Sequence, residues 1–512
     1  MPTIEDLLKI LKSGGGKKIT EKNLILSYLK RQKPNYDLVM IRLAFDYAKD
    51  AHKNQRRKSG DDYINHPLRT AMTLANMGMD QSTIIAGLLH DVPEDTDINL
   101  VDIEKNFGPE VAKLVAGITK LGVLKYRGIE KYAENLRKMF VSMAQDIRIV
   151  MIKMADRLDN LRTLVALPKE KQERIARESL EIYAPIANRL GMGFIKGELE
   201  DLAFPYLYPE KYQWLKDEVM PKMDLKLEYL QTVIKEVRSK LKEEKLKVIE
   251  IYGRKKRLYS LFLKLQRPQY KDDPEKVFDL VAVRIIVPTV ADCYHALGIV
   301  HKLWKPVSGR IKDFISQPKP NGYQSLHTTV FCFDGKIVEF QIRTPDMQQQ
   351  AEYGIAAHWF YKESPGSRRK VVDKDHALPK KFNWIQDLVS WQKNIADNKQ
   401  YLDTLSVDFF KSRFFIFTPK GDVIDLPEGA TPIDFAYHVH TWIGDHCSGA
   451  RINNQIASLD AKLKNGDMVE IITDKNRKGP SRDWMGFAKT HAAKNKIKSA
   501  LSKTNIAPKI DY

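Results

Sequence analysis

At 512 residues the chain is too long for one domain, and ordinary domain sizes imply three or four. Hydrophobic residues make up 43%, enough for ordinary cores, which excludes a globally disordered chain. The formal charge of +19, from 84 Lys and Arg against 65 Asp and Glu, favours polyanionic partners such as nucleotides, RNA or a ribosome, and bears on no particular fold.

Cys293, Cys332 and Cys447 lie far apart in no metal-ligand spacing, and are expected to be buried apolar thiols of a reducing compartment. The opening MPTIEDLLKILKSGGGKK has early acids and no apolar core of signal-peptide length, and no apolar run approaches the ~18 residues of a membrane span. The chain is therefore read as cytoplasmic, with no membrane partner.

Residues 1 to about 200 read as mostly helix, with apolar residues at helical spacing from Ser82 to His90 and from Ala144 to Leu164. SGGGKK at 13–18 lacks the spacing and hydroxyl of a phosphate loop and is taken as a flexible connector. Against this helical background stand His66, His90-Asp91 and Asp156. Mixed nitrogen and oxygen ligation of this kind suits Mn, Fe or Zn better than Mg or Ca. On a regular helix His90 and Asp91 diverge by about 100°. A helix end lets both bend towards one ion, and Pro93 marks such an end by disfavouring helical geometry at Val92. Glu94 and Asp95 follow, placed to steer water or take a proton, while Asp156 and Asn160, four apart, share a helix face.

Over 200–245 Met223, Leu227, Leu230, Ile234, Val237 and Leu241 form one apolar stripe on a long amphipathic helix, expected to pack on a neighbouring domain. From Lys247 to about Lys362 the period changes to strands, with VFDLVAVRIIVP a buried strand and HTTVFCF-DG-KIVEFQIRT a hairpin turning at Asp334-Gly335. Glu339, Gln341 and Arg343 point to one side of the second hairpin strand, a costly polar face unless it lines a site. Asp279 opens the other strand and pairs with Glu339 as a seat for Mg, while Arg254, Lys256, Ser260 and Lys264 offer a basic strip for a triphosphate. A two-residue turn pairs Val330 with Glu339 and leaves His327 on the opposite face. A one-residue slip, or a loop carrying Tyr323 round the edge, changes that, and both alternatives stay open.

Residues 363–381 read as a linker, 382–405 as helix-like, and FFIFTPKGDVIDLPEGATPIDFAYHVH through DMVEIIT as a small mixed domain with one helix opening at Thr431. Lys475 to Tyr512 hold ten Lys or Arg against two Asp. No internal repeat is evident.

RRKSGDDYINHP, LLHDVPEDT and KMADRLDNLRTL resemble successive motifs of the HD-type hydrolase domain of the RelA/SpoT family of (p)ppGpp synthetases and hydrolases. The resemblance implies His66, His90, Asp91 and Asp156 as ligands of Mn2+, Glu94 and Asp95 as the water-activating pair, and Arg57, Lys58 and Asn160 as nucleotide contacts. Two positions depart from the family pattern: Pro93 stands where an aliphatic residue is usual, and Asp159 where His is common. The extra carboxylate either tightens the metal or repels the substrate pyrophosphate.

GYQSLH resembles the signature of the family's synthetase domain, with Tyr323 expected to stack on guanine and Lys319, Asn321 and His327 nearby. GRIKDF has the basic form (Arg310, Lys312, Asp313) that goes with bifunctional members. The implied reaction moves the β,γ-pyrophosphate of ATP to the 3′-hydroxyl of GTP or GDP. Asp279 would hold Mg2+, Glu339 would share it or take the hydroxyl proton, and Gln341 and Arg343 would face the nucleotides. The segment from FTPKGDVIDLP onwards resembles the TGS domain, which implies contact with uncharged tRNA and the ribosome, His440 being the candidate residue. Longer relatives continue into distal C-terminal regulatory domains that this sequence lacks.

The expected architecture is multidomain α and α+β. It comprises an all-α HD-type domain (1–200), a helical linker (201–245), a mixed α/β nucleotidyltransferase-like synthetase domain (246–380), a connecting helix (381–410), a small β-grasp TGS domain (411–475) and the start of a basic helical region (476–512). The expected function is a bifunctional alarmone synthetase and hydrolase. The alternatives are a chain retaining only synthesis, or a non-enzymatic tRNA or ribosome sensor. The helices at about 176–245 are expected to let only one site close at a time.

Overall fold

The computed structural model describes residues 36–122, 129–270, 272–319, 321–357, 384–392, 413–464 and 466–504, with a few isolated residues elsewhere. The expected connector at 13–18 and linker at 363–381 lie outside them. The chain forms two compact units, Met1–Trp391 and Gln392–Tyr512.

The first unit begins as a helical array: α1 (Leu38–Ala51), α2 (Asn65–Asn76), α3 (Gln81–Leu89), α4 (Val92–Asp95) and, after three further helices, α5 (Ile147–Arg162). Asp80 caps α3 by accepting from Thr83 N, and Asp146 caps α5 by accepting from Arg148 N. Buried Arg148 then ties the two starts together through Asp146 (2.8 Å), Asp80 (3.4 Å) and Glu110 (2.6 Å). A guanidinium this buried needs such partners, since an unpaired one would be costly. Val92, expected to resist helical geometry, opens the one-turn α4 instead. Pro93 sits in its first turn, where a missing N–H costs no helical hydrogen bond.

Helix α6 (Gly193–Leu207) packs on α5 and on two helices that follow, α8 (Leu258–Leu265) and α10 (Pro345–Tyr353). Between them α7 (Met220–Glu243) buries Met223, Leu230, Val233, Ile234, Val237 and Leu241, with Leu227 partly buried. These side chains share one core with a five-stranded sheet and α9 (Val290–Leu303).

The strands are β1 (Glu250–Lys255), β2 (Val281–Ile286), β3 (Lys312–Asp313), β4 (Leu326–Phe331) and β5 (Ile337–Arg343), in the order β1-β2-β5-β4-β3. Only β2 and β5 run parallel. Val283, Ile285, Phe340, Ile342, Leu326 and Val330 point into the core, so the alternate residues form a second, polar face.

In the second unit β6 (Arg413–Phe417) pairs with β7 (Val423–Pro427), and β8 (Cys447–Ile452) lies between β10 (Val469–Thr473) and β9 (Gln455–Ala457). Helix α11 (Pro432–Val439) opens at Thr431 as expected, through a capping box with Asp434, and is followed by α12 (Thr441–Asp445). The helix α13 (His491–Thr504) packs on α11. All three cysteines are buried, which pushes their thiols up to between about 11 and 12. Among the described residues no helix is long and apolar enough to cross a membrane.

Candidate metal and nucleotide sites

His66 sits in the first turn of α2, His90 is the residue that ends α3, Asp91 precedes α4, and Asp156 lies in the second half of α5. The fold brings them together: His66 Nε2 is 3.3 Å from Asp156 Oδ1 and 3.4 Å from Asp91 Oδ2, and His90 Nε2 is 3.2 Å from Asp91 Oδ1. One ligand atom from each of His66, His90 and Asp156 lies within 4.8 Å of the others.

Each imidazole is anchored at its far nitrogen. His90 Nδ1 bonds Gly87 O at 2.9 Å, which leaves its buried Nε2 with no hydrogen-bond partner. An orphaned, inward-facing nitrogen is what a divalent cation would satisfy. Burial pulls His66 down, but hydrogen bonds to Asp156, Asp159 and Asp91 outweigh it and push the imidazole up to about 10. Burial alone would raise Asp156, yet Lys153 at 2.8 Å and His66 hold it well below the carboxylate range. The donor set fits a divalent cation, whose binding requires His66 Nε2 to be free of its proton.

A cavity of about 640 Å³ opens beside these ligands, lined by Arg56, Arg57, Lys58, Tyr63, Lys153, Asp156, Asn160, Thr163 and Arg174. Arg57 donates to Asn160 (3.2 Å) and Thr163 (3.3 Å), so all three expected nucleotide contacts on this side border one space. Glu94 is exposed, pushed up to about 7 by partial burial and by Asp91, Asp95 and Asp156 against the pull of Lys153. The hydroxyl of Tyr63 is shared between Asp91 (3.0 Å) and Asp95 (2.5 Å). Tyr63, Lys153 and Thr163 were not expected from sequence. Their signal was local, since each lies three residues from an expected site residue: His66, Asp156 and Asn160.

The second cluster occupies the polar face of the five-stranded sheet. Register puts Tyr252 and Arg254 of β1, Arg284 of β2, Glu339, Gln341 and Arg343 of β5, His327 of β4 and Lys312 of β3 on that face. The two-residue turn is overturned. Phe333–Gly335 forms a three-residue loop with Asp334 (φ 55°) and Gly335 (φ 69°) both left-handed. The ladder therefore slips by one, pairing Thr329 with Glu339 and His327 with Gln341. His327 now faces Glu339, with Nδ1 3.0 Å from Oε1.

Lys256 and Lys264 do not extend into an open strip but clamp Asp279 at 2.7 and 2.6 Å, which outweighs burial and holds it down at about 2. Ser260 shares the Lys264 side of α8 by its four-residue spacing. Burial would raise Glu339, but the His327 hydrogen bond wins, and the Asp279 charge reaches it as an opposing push. Both expected carboxylates thus act within one field.

Arg343 is fully buried and donates to Tyr323 Oη at 2.7 Å and Gln341 Oε1 at 3.2 Å. Tyr323 Oη also meets His327 Nε2 at 2.8 Å, and Asn321 Oδ1 accepts from Tyr323 N at 3.2 Å. Lys319 lies over the Phe314 and Tyr323 rings (4.6 and 4.9 Å) and is pushed down to about 8 by desolvation and by Lys312. Arg310 stands over Phe278 at 5.8 Å, and Asp313 accepts from Ser316 N and Ile315 N rather than facing the sheet. Arg284 escaped the sequence, although a lone arginine inside an apolar strand was the signal. Desolvation, with Arg284 close by, holds both Arg254 and Arg343 below the usual guanidinium range. An anion beside cations this crowded would relieve their repulsion.

His440, in the second unit, heads α12 and accepts from Trp442 N through Nδ1 at 3.1 Å. It is exposed, beside a Trp442–His446 stack of 4.5 Å.

Comparison with known proteins matches three family models: an HD domain over residues 44–193, the region found in RelA / SpoT proteins over 253–366, and a TGS domain over 414–473. A probable guanosine-3′,5′-bis(diphosphate) 3′-pyrophosphohydrolase of Synechocystis is 47% identical over 460 residues, covering 90% of this chain and 60% of that protein. The GTP pyrophosphokinase of Streptomyces antibioticus is 47% identical over 511 residues, covering 98% and 58%. The bifunctional (p)ppGpp synthase/hydrolase RelA of Mycobacterium tuberculosis is 46% identical over 474 residues, covering 92% and 63%. The chain spans about 60% of the length of the relatives it matches.

Proposed function

The chain belongs to the RelA/SpoT family, and from that premise we propose that it both makes and removes (p)ppGpp. In synthesis the β,γ-pyrophosphate of ATP passes to the 3′-hydroxyl of GTP or GDP, releasing AMP. In hydrolysis water displaces the 3′-pyrophosphate. The convergence of His66, His90 and Asp156 beside a basic cavity is the observation that carries the second half.

In this reading His66, His90, Asp91 and Asp156 would hold Mn2+, which would supply Lewis acidity, and Asp279 and Glu339 would hold Mg2+, which would offset polyphosphate charge. The chain's own groups do the rest. Arg57, Lys58 and Asn160 orient the nucleotide. Glu94, poised near neutrality, takes the proton from the attacking water, with Asp95 steering it. On the sheet face Arg254, Arg343, Lys312 and Lys319 hold anionic oxygens in place, and Glu339 accepts the 3′-hydroxyl proton. Lys256 and Lys264, now on Asp279, turn to phosphate when the nucleotide enters, joined by Ser260 and Arg310. Tyr323 receives the guanine, with Asn321, His327 and Gln341 shaping its bed. The TGS domain, through His440, is proposed to meet the acceptor end of uncharged tRNA on the ribosome.

Incubating the protein with ATP and GDP plus Mg2+, and separately with pppGpp plus Mn2+, and resolving nucleotides chromatographically tests both halves. Turnover in the first reaction alone leaves a synthetase. Turnover in neither leaves a tRNA or ribosome sensor.

A further inference from the structure

Asp159 replaces no ligand, yet it is placed to govern one. Its side chain is 0% exposed, and Oδ2 lies 2.7 Å from His66 Nδ1. Oδ1 accepts from Arg69 Nε at 2.6 Å, and the carboxylate is 3.7 Å from Arg57, a residue of the nucleotide cavity. It is three residues from Asp156 on α5, so one helix presents both an ionised oxygen to His66 Nε2 and another to Nδ1. We propose that Asp159 is a positioning residue. It accepts the Nδ1 proton of His66, fixes the tautomer that leaves Nε2 for a divalent ion, and joins that centre to the nucleotide-binding Arg57.

Carboxylates behind ligating histidines orient the ring and raise its basicity, and their loss typically weakens metal binding about 10- to 100-fold. Burial makes the geometry stiff, because neither Asp159 oxygen can turn to water. The alternative, a charge that repels the substrate pyrophosphate, is disfavoured by the same geometry: both oxygens are already spent on His66 and Arg69, and Arg57 stands between Asp159 and the cavity.

This inference rests on the metal-dependent hydrolase reading, and the test separates the two. Mn2+ binding to the full chain is followed by loss of the free-ion paramagnetic resonance signal, with thermal melts confirming the fold. Asp159→Ala alone leaves Arg69 without its partner and risks misfolding, so Asp159→Ala/Arg69→Gln is measured beside Arg69→Gln. Arg69→Gln breaks the same ion pair but keeps the His66 contact, and is expected to bind Mn2+ within about threefold of the unaltered protein. The double variant is expected to bind about 10- to 100-fold more weakly. Equal affinity in the two variants would overturn the positioning role. His66→Ala is the control: if it retains full affinity, the metal centre falls and this inference with it. If it loses Mn2+ while the double variant does not, only the role of Asp159 falls.

Discussion

Glu198 lies 3.0 Å from Arg257, the residue that heads the helix bearing Lys264, and its other oxygen is 3.5 Å from Arg162 at the foot of the helix bearing Asp156. One carboxylate on α6 is therefore shared between the supports of the two sites. Its partners are about a quarter exposed, so each pair is worth ~1 kcal/mol or less. If the helices between the sites let only one close at a time, Glu198→Gln should weaken that exclusion. The inhibition of hydrolysis by a nonhydrolysable ATP analogue plus GDP should fall by roughly two- to fivefold, with each basal rate little changed. Unaltered inhibition would remove Glu198 from the coupling.

Lys319 gives a proton-linked prediction. Its ammonium is pushed down to about 8 in the free protein, and an anionic polyphosphate would push it back up. Nucleotide binding should therefore take up about half a proton at pH 8, close to one between about pH 9 and 9.5, and almost none below about pH 7. Calorimetry in buffers of differing ionisation heat measures this uptake, and Lys319→Met should abolish it. The sign for stability follows too. A lysine whose folded value is depressed binds fewer protons folded than unfolded, so its destabilising contribution is present below about pH 8 and is relieved as pH rises towards ~10.5.

Replacing Asp156 by Asn should remove an ionised ligand while keeping its shape. Hydrolysis of pppGpp should fall by at least ~10³, the several kcal/mol that metal activation supplies. Synthesis should persist, because the five-stranded sheet does not depend on α5 for its polar face. Chromatography of both reactions on one sample checks this.

Gly354 leaves no room for a side chain. It has φ +54°, and a Cβ there would collide with Leu190 O and the backbone of Gly191. Ile355 N donates to the same Leu190 O at 2.9 Å. Gly354→Ala should cost ~2–4 kcal/mol from strain and overpacking. A lowered melting temperature, with both activities lost together at lower temperature, is the expected readout.

The sequence made the two clusters legible because their residues declare their chemistry: two histidines and two aspartates cannot be idle in helices so apolar, and Glu339, Gln341 and Arg343 alternate as a strand requires. What stayed hidden was rotation and register. Asp159 shares a helix side with Asp156, but spacing cannot tell whether it reaches the ion or the back of His66. The turn dipeptide Asp334-Gly335 was correctly found, yet one more residue in the loop swung His327 to the polar face. Arg284 stood out as a lone arginine in an apolar strand, but its place beside Gln341 depends on the parallel β2–β5 pairing, a long-range fact. Lys256 and Lys264 were read as a phosphate strip because their attachment to Asp279 spans a loop.

Asp434 does more than close the first turn of α11. Its buried carboxylate also accepts from Lys489 N, Thr490 N and the Thr490 hydroxyl, while Trp484, Ala493 and Ile497 complete the pocket around Ile433 and Tyr437. Anyone excising the small C-terminal module at the end of its last strand, Thr473, would leave Asp434 with only its Thr431 donors and bare an aromatic surface. A self-sufficient fragment has to run through the helix ending at Thr504.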